Sequence, residues 1–96
     1  ENRRTDLTLS ISYEANIKTA RETILELLSK NPKIHTTPQA TVTVRDFSDH
    51  AIHLAVRAWC TNEDFQEINS FVLENCKEAF DTKGIAIQPF VKEKSN

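Results

Sequence analysis

An α+β fold is predicted because stretches with strand periodicity and stretches with helix periodicity alternate along the 96 residues. Four short stretches alternate apolar and polar residues, and two longer ones repeat apolar residues at spacings of three and four. Their order is β-α-β-β-α-β. Two helices covering one face of a four-stranded, antiparallel or mixed sheet would form a ferredoxin-like two-layer sandwich.

The first strand and the first helix are separated by a change in hydrophobic period. Apolar side chains alternate with threonine and serine along the strand, at Leu7, Leu9, Ile11 and Tyr13. They then recur at helical spacing, at Ile17, Ala20, Ile24, Leu27 and Leu28. Asn16 is suited to cap the amino end of this helix. Asn31-Pro32 ends it, because proline disfavours helical geometry in the residue before it.

The middle of the chain predicts a β-hairpin. A loop between Pro32 and Pro38 leads into a second strand, whose apolar face carries Ala40, Val42 and Val44. The stretch from Asp46 to Asp49 is typical of a turn, because its polar side chains can bond their own backbone. The third strand places Ile52, Leu54, Val56 and Ala58 on one face and His53, Ala55, Arg57 and Trp59 on the other. Such a short connection implies antiparallel pairing.

The second helix has signals at both ends. Thr61-Asn62-Glu63-Asp64 matches a capping box, and an apolar stripe follows at Phe65, Ile68, Val72, Cys76, Ala79 and Phe80. Lys83-Gly84 ends the helix, since glycine adopts the left-handed conformation without a Cβ penalty. Ile85 and Ile87 form a short last strand that stops at Pro89. These elements predict one domain over residues 1–96, with its core at about residues 5–90.

Composition excludes several classes of protein. Twelve basic residues oppose 14 acidic ones, a net charge of -2, which does not favour a nucleic-acid-binding surface. No apolar run approaches the roughly 20 residues needed to cross a bilayer, so this piece is expected to be soluble. One glycine cannot build a phosphate-binding loop. Because the chain opens with Glu1 rather than Met, we expect it to be a piece of a longer protein.

The candidate chemical groups do not converge on a reactive site. His50 and His53 lie three positions apart at the start of a strand, and His35 belongs to a separate loop, so they lack metal-ligand spacing. Asp46 and Asp49 could join His50 in an acid/base set, but aspartates in turns commonly bond local backbone. We therefore predict no catalytic, metal-ligating or cofactor-binding residues, and a protein that is not an enzyme.

The two cysteines are predicted to be free thiols. If a helix starts near Asn62, Cys76 lies about 14 residues along it and roughly 21 Å from Cys60, too far for a disulfide. Both positions suit small buried side chains better than nucleophiles.

Arg57 and Trp59 form the most distinctive surface feature. They share the strand face that the helices are predicted to leave uncovered, and both residue types are favoured in protein interfaces. The RNA-recognition motif has the same topology, but it needs a glycine-flanked aromatic pair on this face, which His53, Ala55 and Arg57 do not supply. A protein contact is the better interpretation.

Several short segments, in shared order and spacing, resemble the C-terminal domain of small-conductance mechanosensitive channels (MscS type). Arg3-Arg4 and the stretch from Ser12 to Ile17 are similar to the strand with which that domain begins. The family series "V-R-x-W … x-D-(Y/F) … K-x-x-F-D-x-x-G-I-x-I" is similar to Val56-Arg57-Ala58-Trp59, Glu63-Asp64-Phe65, Lys77-Glu78-Ala79-Phe80-Asp81 and Gly84-Ile85-Ala86-Ile87. The resemblance covers roughly residues 3 to 90.

The resemblance implies a channel subunit whose membrane helices lie upstream. Such channels are homo-heptamers that open under membrane tension and release solutes during hypo-osmotic shock. Their α/β domains wall a vestibule on the cytoplasmic side of the bacterial inner membrane. We assign Arg57, Trp59 and Phe90 as candidate subunit-interface residues. The alternative is a ferredoxin-like regulatory domain of another transporter, which would bind a small ligand or a metal.

Overall fold

Alternating strands and helices are present in the order that the periodicity predicts. A computed structural model describes residues 2–87. In chain order, its elements are β1 (Asn2–Ile11), α1 (Ile17–Ser29), β2 (Thr41–Phe47), β3 (Ile52–Thr61), a 3₁₀ turn (Asn62–Asp64) and α2 (Phe65–Lys83).

The strands form a three-stranded antiparallel sheet in the order β1-β3-β2. Leu9 pairs with Leu54 on one side of β3, and Val42 pairs with Val56 on the other. The fourth predicted strand is represented by one antiparallel bridge, between Ile11 and Ile87, on the outer side of β1. The described residues therefore establish an α+β fold with three strands, and the predicted last strand at Ile85 and Ile87 is reduced to this bridge.

The core lies between one face of the sheet and the two helices. Along β3, the residues facing the helices are Leu54, Val56, Ala58 and Cys60, all with no exposed surface. The helices contribute Ala20, Ile24, Ile68, Val72, Cys76 and Phe80, which are also almost fully buried. Each buried aliphatic or aromatic side chain contributes about 1.5–3 kcal/mol relative to an exposed one. Neither of the two described helices covers the opposite face of the sheet.

The predicted signals at the ends of the helices are confirmed at two positions. The Asn16 Oδ1 atom accepts a hydrogen bond of 2.9 Å from the Thr19 backbone N–H, which satisfies one of the free donors of α1. Gly84 has φ 74° at the end of α2, in the left-handed region. The Ile85 N–H then donates to the Phe80 carbonyl at 2.8 Å. This bond turns the chain back towards β1.

The predicted capping box at Thr61 is wrong. Neither Thr61 nor Asp64 accepts a capping hydrogen bond through its side chain. A 3₁₀ turn comes first, so α2 begins only at Phe65, and the Asp64 carboxylate lies 3.9 Å from the Lys33 ammonium group. The same lysine bonds Glu67 at 2.9 Å and thereby ties the loop after α1 to α2.

Two strand boundaries also differ from the prediction. β1 begins at Asn2 rather than Leu7, because its polar first half pairs with β3 as far as Thr61. β2 continues through Phe47 and β3 begins at Ile52, so the hairpin turn covers residues 48–51, two positions later than the predicted stretch from Asp46 to Asp49. The Ser48 N–H closes that turn on the Ala51 carbonyl at 2.9 Å. Within the described residues, neither helix is both long and apolar enough to span a bilayer.

Candidate functional site

The uncovered face of the sheet carries side chains that point away from the helices. We call this surface the open face; its members are Arg4, Asp6, Thr8 and Ser10 of β1, Thr41, Thr43, Arg45 and Asp46 of β2, and His53, Ala55, Arg57 and Trp59 of β3. The alternation of β3 places Arg57 and Trp59 here, as predicted, while the residues between them enter the core. Arg57 is exposed and Trp59 is half-buried.

An ion-paired cluster crosses the open face between β1 and β3. Asp6 lies opposite Arg57, and its carboxylate accepts a hydrogen bond of 3.1 Å from the Arg57 Nε atom. The Arg4 Nε atom lies 3.0 Å from the same carboxylate oxygen. These side chains are about half exposed, so each pair contributes only about 0.2–1 kcal/mol to stability. Two cations share one anion, which leaves the cluster with an excess of positive charge.

Trp59 extends this cluster towards the start of β1. It lies opposite Arg4, whose guanidinium carbon is 5.9 Å from the centre of the indole ring. Its backbone carbonyl accepts a hydrogen bond of 2.8 Å from the His35 N–H, which fixes the loop after α1 against this end of β3. An indole held beside an arginine on an uncovered surface has the composition of a protein-contact site.

A third arginine, Arg45, lies on the open face beside a β-bulge. Pairing between β2 and β3 shifts between Val44 and Asp46, so Arg45 is the extra residue. The Arg45 Nη1 atom donates to the Thr8 hydroxyl at 2.8 Å, across the intervening β3. Alternation along β2 places Arg45 on the same face as Thr41 and Thr43, whereas no sequence signal marks the bulge, which adds Asp46 to that face.

The other candidate groups are dispersed over the molecule. His53 lies on the open face, where its Nδ1 atom is 2.7 Å from the Ser10 hydroxyl, while His50 lies exposed in the hairpin turn. His35 lines two shallow clefts of about 360 and 420 Å³ beside the loop after α1. Residues 2–87 contain no group of three or more side chains placed to hold a metal ion.

The two cysteines are free and buried in the core, as predicted. Burial raises the pKa of the Cys76 thiol to about 12. Burial also raises the pKa of Cys60, with a further contribution from the charge of Asp64. Both thiols therefore remain protonated near neutral pH, in the form that is not nucleophilic.

The candidate interface residues are only partly brought together by the described structure. Arg57 and Trp59 lie on one face, two positions apart on β3. Phe90 lies outside the described residues. The contacts of Arg4, Asp6 and Arg45 could not be predicted from the sequence, because they depend on the pairing of β1 and β2 with β3.

Comparison with known proteins agrees with the resemblance seen in the sequence. Residues 5–87 match the family model described as the C-terminal domain of the mechanosensitive ion channel MscS. An uncharacterized MscS family protein of Synechocystis sp. is 28% identical over 88 residues, which are 92% of this chain and 29% of that protein.

Solved structures show the same relationship. The crystal structure of Helicobacter pylori MscS in its closed state matches 99% of this chain with a TM-score of 0.84 and 25% identity. Arabidopsis thaliana MSL1, determined by cryo-electron microscopy, matches 93% with a TM-score of 0.72; at 14% identity this shows a shared fold. The matched part is 38% of the first structure and 34% of the second, so the chain spans little more than a third of these proteins.

These matches assign the domain to a family of channels rather than of enzymes, and not to another kind of transporter. The chain belongs to the MscS family of mechanosensitive ion channels, and its residues 5–87 correspond to the C-terminal domain of that family.

Proposed function

We propose that the chain is the cytoplasmic C-terminal domain of a channel subunit that opens under membrane tension and releases solutes during hypo-osmotic shock. The family match over residues 5–87 carries this proposal, and the likeness to the closed H. pylori channel supports it. Since the domain accounts for 29% of the Synechocystis relative, the pore and the tension-sensing segments would belong to other parts of the subunit.

The same relationship supports a place and an assembly for the domain. We propose that it walls a vestibule on the cytoplasmic side of a bacterial inner membrane, in a homo-oligomer that is a heptamer. We also propose that Ile85 and Ile87 complete a ferredoxin-like sheet as a fourth strand beside β1. The bridge from Ile11 to Ile87 and the hydrogen bond from the Ser12 N–H to the Ala86 carbonyl, 3.0 Å, would begin that strand.

Arg57, Trp59 and Phe90 are proposed to contact a neighbouring subunit. The half-buried indole and the arginine cluster around it support this for the first two residues. The Trp59→Ala variant of the complete protein should lose oligomer stability on dilution, as measured by native mass spectrometry. Phe47→Ala is the matched control, because Phe47 is also aromatic and is 62% exposed. It pairs with the core residue Ile52 and therefore does not belong to the open face. Equal loss in both variants, or no loss in either, would argue against the interface.

The channel function can be tested by survival of a bacterium that lacks its own mechanosensitive channels. The complete gene should protect these cells when they are moved from high to low osmolarity. A gene in which the codons for residues 5–87 are removed should protect less, provided that membrane fractions show equal amounts of both proteins. Survival no better than with an empty vector, at confirmed expression of the complete protein, would refute the function.

A further inference from the structure

The proposed ring requires two different contact surfaces on each copy of this domain. A ring of more than two identical subunits closes through a heterologous contact, in which one patch of a subunit meets a different patch of the next. The open face is one such patch. The inference below rests on the proposed assembly and identifies the second patch.

The edges of the sheet are poorly suited to this contact. On the outer edge of β2, the Val42 carbonyl already accepts a hydrogen bond of 3.0 Å from the Arg21 Nε atom of α1, and the bulge at Arg45 distorts the same strand. On the outer edge of β1, Ser12 is hydrogen-bonded to Ala86. Blocked carbonyls and bulges are common ways of preventing strand addition. The contact is therefore expected to use a face of the domain.

The open face has an excess of positive charge. It carries the three arginines Arg4, Arg45 and Arg57 against the two aspartates Asp6 and Asp46. Within the described residues, Arg45 bonds only the neutral Thr8 hydroxyl, so its charge is available to a partner. The complementary surface should therefore be acidic and should offer an apolar side chain to Trp59.

The outer surface of α2 has both properties. Its range contains four acidic residues against two lysines, and Glu74 and Glu78 form no ion pair with any other described residue. Leu73 precedes Glu74 in the sequence and is 46% exposed, the only large apolar side chain on the two described helices with so much exposed surface. The outer surface of α1 offers neither property. Its two basic and two acidic residues balance, and it has no large apolar side chain as exposed as Leu73.

We propose that the open face of one copy binds the outer surface of α2 on the next copy around the ring. Leu73 then contacts Trp59, and Glu74 and Glu78 lie near Arg45 and Arg57. Burying an exposed leucine against a half-buried indole supplies apolar contact, and the opposite charges orient the two copies. Because the two surfaces differ, every copy can use both at once.

Chemical cross-linking of introduced cysteines in the complete protein tests this contact. Thr43→Cys places a thiol on the open face, and Ser70→Cys places one on α2, one turn before Leu73; both positions are exposed. The protein's own Cys60 and Cys76 are buried and need not be replaced. The matched control combines Thr43→Cys with Glu22→Cys, which is exposed on α1.

The doubly substituted T43C/S70C protein, treated with a short bismaleimide, should give a ladder of covalent oligomers. This ladder should form about tenfold faster than with T43C/E22C, because holding the two thiols of neighbouring copies close together raises their effective concentration. The rate of cross-linking should fall in 1 M salt, because the Debye length is then about 3 Å and the attraction between the two charged surfaces is screened. Each single variant should remain monomeric on a denaturing gel.

Other results would overturn the proposal in distinguishable ways. Dimers from T43C alone would indicate that two open faces meet, and dimers from S70C alone would indicate that two α2 helices meet. Faster reaction of T43C/E22C would assign the contact to α1. An intact oligomer by native mass spectrometry with no cross-link would refute this contact but not the assembly, whereas a monomer would refute both.

Discussion

Replacing Gly84 by alanine tests the backbone geometry that ends α2. Gly84 has φ 74°, and a Cβ added there would meet nothing within 4 Å. The cost is therefore conformational rather than a clash. An L-residue in the left-handed region costs about 1–2 kcal/mol, and the lower entropy of the unfolded alanine chain offsets about 0.4–1 kcal/mol. Gly84→Ala should thus lower the free energy of unfolding by about 1 kcal/mol.

The assay is urea unfolding of the chain followed by circular dichroism. In a thermal melt of the same variant, a loss of about 1 kcal/mol corresponds to a fall in Tm of about 4–8 °C for a domain of this size. Gly84→Asn should lose less, because asparagine tolerates the left-handed region better than alanine. Ser70→Ala, at an exposed site inside α2, is the control and should lose nothing. A Gly84→Ala variant as stable as the original protein would show that the left-handed geometry at the end of α2 does not carry this cost.

Three further perturbations follow from the structure. Asn16→Ala removes the 2.9 Å bond to the Thr19 N–H and should cost about 1 kcal/mol in urea unfolding, whereas Asn16→Asp, which keeps the acceptor, should cost less. Phe80→Ala empties a fully buried site and should cost about 3–5 kcal/mol, so a loss below 1 kcal/mol would contradict the packing. Burial raises the pKa of Cys76 to about 12 in the folded state from 9.0, so the stability that its neutral thiol provides is present below about pH 9 and is lost between pH 9 and 12. The difference in unfolding free energy between the original protein and Cys76→Ala should narrow over that range, and a constant difference would show that the thiol is not buried in this way.

Local signals in the sequence were sufficient for β1, β2, β3 and the two helices, and for some of their ends. Asn16 and Gly84 were identified because a cap depends on one side chain or one dihedral angle near the helix end. The alternation along β3 placed Arg57 and Trp59 on the uncovered face, because successive side chains of a strand point to opposite faces of the sheet. Thr61 failed as a cap because a 3₁₀ turn over Asn62–Asp64 comes before α2, and the pattern of a capping box does not distinguish such a turn from the first turn of the helix.

The composition of the open face could be predicted only in part. Asp6 meets Arg57 because of the register between β1 and β3, and register depends on pairing over 51 positions of sequence. Asp46 joins this face because of a bulge, and bulges have no dependable sequence mark. The family resemblance rested on the order of short segments, and the match over residues 5–87 confirmed it.

Electrical recording under membrane tension tests the central claim most directly. The complete protein would be purified, reconstituted into liposomes and recorded in excised patches while suction is increased. The account predicts step-like currents that appear as suction rises, close when it is released and are absent from protein-free patches. Patches that contain the protein but rupture without any such current would contradict the claim that this domain belongs to a tension-gated channel.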